Sequence, residues 1–502
     1  MISEELTYRV RQSMGLEPTG EQTVATEAFA RFMTDTGDRA VMVMRGAAGT
    51  GKTTLAAAVV KALVALRWKI VLLAPTGRAA KVFSIYSGCK AHTIHRCIYR
   101  QKALAADMSG FRLSDNLHSD TLFIIDEASM ISDSGGEFGS GRLLDDLIEY
   151  VYGGRNCRMM LIGDRAQLPP VGETESPALS SDVLSAYGLR VFEADLSEVL
   201  RQSAESGILY NATIVRQMLF AGDGMVLPLV RFAGFADIVS VPGSELIETL
   251  AGSYSAVGID ETMVVTRSNK RANIYNNGIR NMVLGCEEEL STGDMVMIVK
   301  NKYLNLSEER RVKSEEFAGA VKENVTAQPN SSFFIHHSSF KEDFIANGDR
   351  AVVRRVRNVH EQHGFRFADV TLEFPDYDNA ELSTTVVLDS LASEGPALTR
   401  EQNERLFNSV MADYADIPRK ADRLKRMKED KYYGAMQIKY AYAVTCHKAQ
   451  GGQWAHIYVD QGYMTDDMLT PDYIHWLYTA FTRATEKLFL VNWPKAQTVS
   501  ES

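Results

Sequence analysis

Short, almost continuously apolar runs alternate with longer amphipathic ones over the first third of the chain. Ala40 to Arg45 (AVMVMR), Lys69 to Pro75 (KIVLLAP), Thr121 to Asp126 (TLFIID) and Arg158 to Asp164 (RMMLIGD) each read as a strand buried on both faces. Such strands, separated by helix-length segments, predict an α/β domain with a parallel sheet covered by helices on both sides. A second set follows at Met263 to Asn269, Ala441 to Gly451, His456 to Asp460 and Lys487 to Trp493. Within it lie Gly293 to Asn301, Asn347 to Val359 and Phe365 to Phe374, whose strand-turn rhythm predicts a small antiparallel barrel. Thr399 to Lys431 reads as helical and basic towards its end.

Two interruptions break the first pattern. Between Cys97 and Ser119 the periodicity weakens, and FRLSDNLHS predicts a small hairpin with Asp115-Asn116 at its turn. Ser132 to Gly141 is rich in Gly and Ser and reads as a mobile loop. The expected division is a first α/β domain over 1–196, with a projecting insertion at about 97–119. A second α/β domain is expected over 197–290 and 436–502, split by an insertion at 291–435.

Length agrees with this count: 502 residues, at about 150 per domain, leave room for about three domains. The 45% hydrophobic and 24% charged residues are those of ordinary globular proteins, and the 36 Gly and 13 Pro follow no collagen-like period. No apolar run reaches the roughly twenty residues that span a bilayer, and the amino terminus lacks an apolar signal core. The expectation is a cytoplasmic or nuclear protein with no membrane partner. Five cysteines, far apart and without C-x-x-C spacing, read as buried free thiols. A net charge of −10 does not exclude a polyanionic partner, because phosphate affinity follows local arrangement.

The chemistry is concentrated at strand ends. Gly46-Ala47-Ala48-Gly49-Thr50-Gly51-Lys52-Thr53, followed by Thr54 and a helix-forming run, has the residues and the context of a P-loop. Its glycines, Gly46, Gly49 and Gly51, let backbone N–H groups close around phosphates, Lys52 reaches the β/γ-phosphates and Thr53 binds magnesium. Asp126-Glu127 ends an apolar strand at the edge where parallel sheets bind ligands. Asp126 suits the magnesium shell, and Glu127 can polarise a water for attack on the γ-phosphate. Gln167, in GDRAQLPP, could report on the γ-phosphate, although a Pro-terminated loop with a surface Gln is the plain alternative. Arg201 and Arg483 are candidates for transition-state stabilisers, or solvated helix arginines. Phe83, Tyr86 and Trp454 read as core aromatics rather than base-stacking ones. The run Arg419 to Lys431 reads equally as a phosphate track or a solvated helix face.

Eight motifs, GAAGTGKT, APTGRAAKVF, TIHR, FIIDEASM, GDRAQLPPVG, LSEVLRQ, AVTCHKAQGGQW and YTAFTRATEKL, occur in an order that resembles the superfamily-one DNA helicases of the RecD-like and Pif type. The resemblance covers both α/β domains and reaches into the insertion. It implies two RecA-like domains with an SH3-like insertion and a strand-separating wedge at the hairpin. It also implies a monomeric motor that uses ATP and Mg2+ to move 5′ to 3′ on single-stranded DNA and at single-strand/duplex junctions, extending to G-quadruplex DNA. By motif position, Gln22 reads adenine, and Gly46, Gly49, Thr50, Gly51, Lys52, Thr53, Thr54, Asp126, Glu127, Gln167, Arg201 and Arg483 form the ATPase site. Pro75, Thr76, His92, Thr93, Thr445, His447 and Lys448 fall in motifs that touch DNA. From the residues alone, the alternatives are a cap or satisfied loop residue for each and a core histidine for His92 and His447. The rival functions are a P-loop switch that does no mechanical work and a single-strand binder without turnover.

Overall fold

The computed structural model describes residues 2–101, 111–134, 140–198, 205–220, 226–303, 344–465 and 468–499. The strands of the first α/β layer are β1 (Ala40–Gly46), β2 (Lys69–Ala74) and β3 (Ala91–Thr93), then the hairpin β4 (Tyr99–Gln101) and β5 (Phe111–Leu113), then β6 (Thr121–Ile125), β7 (Arg158–Gly163) and β8 (Arg190–Leu196). Six of them form one parallel sheet in the order β3-β2-β6-β7-β1-β8.

Side-chain parity explains why these strands are apolar throughout. Met42, Met44, Leu72, Ile124 and Ile162 join one cluster with the helices Ile2–Met14, Gly20–Thr34, Lys52–Ala65 and Gly77–Ser87. Val41, Val43, Leu73, Phe123 and Leu161 point the other way, and all five are fully buried. Phe123 meets Tyr150 of helix Leu143–Gly153 edge-on. Each such side chain stabilises the fold by about 1.5–3 kcal/mol before chain entropy is counted.

The hairpin differs from its expected form. FRL is the returning strand β5, paired with Tyr99–Gln101, so the connection falls in 102–110, outside the described residues. Asp115-Asn116 makes no hairpin turn. Instead the Asn116 amide donates to the carbonyls of Tyr150 and Val151, capping the end of helix Leu143–Gly153. Part of the Gly/Ser loop, 135–139, also lies outside the described residues.

The second layer comprises β9 (Ile238–Val241), β10 (Thr262–Thr266) and, after the insertion, three further strands. The insertion contributes β11 (Met295–Ile298), β12 (Lys302–Tyr303), β13 (Phe344–Ile345), β14 (Arg350–Gln362), β15 (Phe365–Phe374), β16 (Ala380–Val387) and β17 (Met436–Tyr440). The chain then returns as β18 (Ala443–Thr445), β19 (Trp454–Asp460) and β20 (Ala484–Val491). The second sheet is parallel, ordered β18-β10-β19-β20-β9, in line with the expected pair of RecA-like domains.

By compactness, residues Met1–Tyr275 and Ala443–Ser502 form one unit holding both sheets, and Asn276–Tyr442 form another. The second unit is a closed barrel, β11-β14-β15-β16-β17, where an SH3-like insertion is expected. Helices Arg400–Asp413 and Lys420–Glu429 cover it through Leu406, Val410 and Met427 against Phe365 and Phe367. The segment before the barrel belongs to this unit because the buried guanidinium of Arg280 forms a two-pronged ion pair with Asp294. No helix among the described residues is long and apolar enough to cross a membrane. The cysteines are free thiols, Cys157 and Cys446 buried and Cys89, Cys97 and Cys286 partly exposed.

Candidate functional site

β6, β7 and β1 are neighbours, so the loops after them emerge side by side at the carboxyl edge of the first sheet. The loop after β1 turns through Gly49 and Gly51, both at φ +78°, where an L side chain would be strained. Gly51 then caps helix Lys52–Ala65, whose N-terminus supplies positive potential at the loop. The Lys52 ammonium donates to the carbonyls of Gly46 (2.6 Å) and Ala47 (3.3 Å). Thr53 and Thr54 lie exposed on the first turn.

Gln22 is buried and its amide is engaged at both ends. Its oxygen accepts from Thr19 N–H in a capping box, while its nitrogen donates to the carbonyl of Thr50 (3.2 Å). It therefore braces the loop from the helix Gly20–Thr34, and reading a base would require exchanging these bonds.

Asp126 and Glu127 follow β6 directly. Glu127 has a left-handed backbone, φ +53°, uncommon for an unbranched acid and of the kind that clusters at functional sites. Asp126 accepts from Glu127 N–H (2.9 Å) and from the hydroxyl of Tyr86, so Tyr86 serves neither as a stacking platform nor as simple core filler. Burial pushes the Asp126 carboxyl up from its ordinary value, opposed by the Tyr86 bond, the Glu127 amide and Lys52. Burial also raises Glu127. The strongest opposing influence there is the positive charge of Arg483, with Lys52 adding to it and Asp126 working against it. An oxygen donor set of Thr53 and Asp126, beside a loop built for phosphate, fits a small hard cation completed by phosphate oxygens and water.

Arg483 reaches this edge from the second layer. It is buried, and its guanidinium donates to Thr479 O (3.1 Å), Gly452 O (3.2 Å) and the Thr482 hydroxyl (3.2 Å). Arg201 lies outside the described residues. Gln167 is buried in the loop after β7, and its side-chain oxygen has no hydrogen-bond partner among the described residues. A buried acceptor left open in this way is costly in a folded protein and suits a site completed by a ligand or water.

Helix Pro471–Phe481 ties that loop to the second layer. His475 pairs with Ala166 O (2.9 Å), the Thr479 hydroxyl accepts from Leu168 N–H (2.7 Å), and Tyr478 donates to Asp164 (2.6 Å). Gln450 adds a bond to Leu168 O (2.6 Å). Tyr478 also accepts from the Ala48 N–H of the P-loop (2.8 Å). Sequence reasoning missed Tyr86 and Tyr478. The only signal for the second was its place five residues before Arg483, inside the YTAFTRATEKL motif.

The seven residues expected to touch DNA occupy the outer strand ends. Pro75 and Thr76 follow β2, beside β3, which ends at Thr93, with Ala74 and Thr93 in register. Thr76 and Thr93 are helix N-caps whose hydroxyls accept from Ala79 N–H (3.2 Å) and Arg96 N–H (3.4 Å). Thr445 ends β18 and precedes the helix Cys446–Ala449 without a side-chain cap bond. Gly451, at φ +72°, lets the second layer approach Thr76, for a Cβ there would stand 3.1 Å from the Thr76 hydroxyl. Thus Pro75, Thr76, Thr93 and the segment carrying Thr445, His447 and Lys448 come together. His92 is half-buried against Arg96, and burial followed by the positive charges of Arg96 and Lys90 holds its pKa below the ordinary value. Burial does the same for His447, opposed by Asp472, and for the Lys448 ammonium. Phe83 and Trp454 are buried, as expected of core aromatics.

Comparison with known proteins agrees with this layout. A family model described as an AAA domain matches residues 20–216, and one described as a UvrD-like helicase C-terminal domain matches residues 440–491. The chain is 33% identical over 174 residues to the ATP-dependent RecD2 DNA helicase of Deinococcus radiodurans, covering 34% of this chain and 21% of that protein. It is 26% identical over 264 residues to the ATP-dependent DNA helicase dda of Enterobacteria phage T4, covering 51% of this chain and 56% of the phage protein. The matches thus span about a fifth and about half the length of these relatives. Among solved structures, a Bacteroides Pif1 helicase in complex with ADP-AlF3 and ssDNA superposes with a TM-score of 0.45 at 14% identity, over 97% of this chain and 95% of that one.

Proposed function

We propose that the chain is a Pif/RecD-like superfamily-one helicase, and from that premise that it is an ATP- and magnesium-dependent DNA helicase that translocates on single-stranded DNA. The proposed direction is 5′ to 3′, the proposed substrates are single-strand/duplex junctions, and the same reading extends to G-quadruplex DNA. A monomer is the proposed working unit. One observation carries the reading: helix Pro471–Phe481 of the second layer, which Arg483 follows and is bonded to, also bonds the P-loop and the loop after β7 of the first layer.

In this reading the Lys52 ammonium leaves the Gly46 and Ala47 carbonyls for the β/γ-phosphates. Thr53 and Asp126 would hold magnesium, which, when bound, neutralises charge on those phosphates. Glu127 orients the attacking water and accepts its proton, and the Gln167 amide meets the γ-phosphate. Arg483 opposes charge developing on the transferred phosphoryl group. Because Arg483 and the carboxylates belong to different layers, hydrolysis depends on how the layers meet. That dependence is what can turn turnover into movement along a strand. The threonines, histidines and Lys448 at the outer strand ends grip phosphate without reading sequence.

The test is ATPase activity with and without single-stranded DNA, followed by strand separation on substrates tailed at one end or the other. Strong stimulation by DNA and unwinding from a 5′ tail support the proposal. DNA-independent turnover, or none, contradicts the motor, and unwinding only from a 3′ tail contradicts the direction.

A further inference from the structure

We propose that Tyr478 is a positioning residue that holds the P-loop and yields its place to phosphate, so that nucleotide entry is felt by the helix that Arg483 follows and is bonded to. The inference rests on the ATPase reading above. Helix Pro471–Phe481 is buried almost all round, and His475, Tyr478 and Thr479, spaced to share one face, bind the loop after β7. Of these three, Tyr478 alone reaches onward to the P-loop. Its hydroxyl accepts from Ala48 N–H at 2.8 Å and donates to Asp164 at 2.6 Å, joining two nucleotide-edge loops of the first layer through one oxygen of the second.

The remaining P-loop contacts stay within the first layer, where Gln22 donates to the Thr50 carbonyl and Ala47 N–H to the Leu196 carbonyl. Thr50 N–H and the Thr50 hydroxyl bond the Ala47 carbonyl, and Lys52 bonds the Gly46 and Ala47 carbonyls. Ala48 N–H is instead satisfied by the other layer. Burial and Asp164 hold the Tyr478 proton on, so it is a neutral acceptor. A phosphate oxygen is a charged one and makes the stronger bond, which favours exchange. Losing the Ala48 bond removes one tie on this helix, and the Arg483 guanidinium is bonded to the same helix at Thr479 O.

Tyr478→Phe keeps the buried ring and deletes only the hydroxyl. With a fluorescent ADP and Mg2+, the variant should bind roughly three- to tenfold more tightly, because a competitor for the Ala48 amide is gone. In DNA-stimulated ATPase assays kcat and KM should fall together, since exchange no longer moves Arg483. Weaker ADP binding at unchanged kcat would overturn the proposal, making the hydroxyl a support for phosphate, and unchanged binding and kcat would make it merely structural. Failure of the wild type to bind nucleotide would sink the ATPase reading as well, which separates the two failures. A second measurement avoids the variant: 3-fluorotyrosine placed at position 478 should shift its fluorine resonance when Mg2+ and ADP are added. A resonance that stays fixed while ADP binds would overturn the exchange.

Discussion

The nucleotide edge and the outer strand ends are built differently. At the outer ends, Thr76 and Thr93 bond amides three residues ahead, so each is fixed by its own helix. At the nucleotide edge the partners come from far along the chain: Tyr86 to Asp126 across 40 positions, Tyr478 to Asp164 across 314, and Arg483 acting on Glu127 from another sheet. Locally fixed groups can hold a strand while the layers move. Groups fixed from afar lose their geometry when the layers shift, which makes them suited to gating chemistry.

If this contrast is right, substitutions at the nucleotide edge alter turnover with little effect on folding, whereas those at the caps alter stability first. The largest expected effect is Lys52→Ala, which should abolish DNA-stimulated ATPase while the melting temperature stays near wild type. Glu127→Gln should retain ADP and DNA binding but lower kcat by about 100- to 10,000-fold. Because burial raises the Glu127 carboxyl, its basic form is lost as pH falls through a value above the ordinary one, so the acid limb of wild-type kcat should lie above pH 4.5. An acid limb at or below that value would detach Glu127 from the limb.

Tyr86→Phe is intermediate: with its hydroxyl gone from Asp126, half-saturating Mg2+ should rise about tenfold, read from nucleotide binding as Mg2+ is titrated. An unchanged Mg2+ requirement would reduce Tyr86 to packing. The smallest effect is Thr76→Ala, expected to cost about 1 kcal/mol in denaturant unfolding and to be restored by Thr76→Ser. Loss of DNA affinity without loss of stability would reverse the contrast at that position.

The same contrast explains what the sequence made legible. β1, β2, β6 and β7 could be read because covering both sheet faces demands unbroken apolar runs, and Phe365–Phe374 because one face of the barrel wall alternates with the other. β8 escaped because it is an edge strand whose outward Glu193 and Asp195 pair with Arg45, breaking the apolar pattern. The P-loop and Asp126-Glu127 are contiguous in sequence and visible as motifs. The hydroxyls of Tyr86 and Tyr478 are not, since their partners are chosen by the fold. The turn at Asp115-Asn116 misled for the same reason, because the Asn116 amide serves the end of a helix rather than a hairpin.

The central claim is that hydrolysis is completed by a charge delivered from the second layer. Arg483→Ala, assayed for ADP binding and for ATPase at saturating single-stranded DNA, tests it most directly. The account predicts near-normal ADP binding with turnover reduced by about a thousandfold or more. Turnover close to wild type would contradict it.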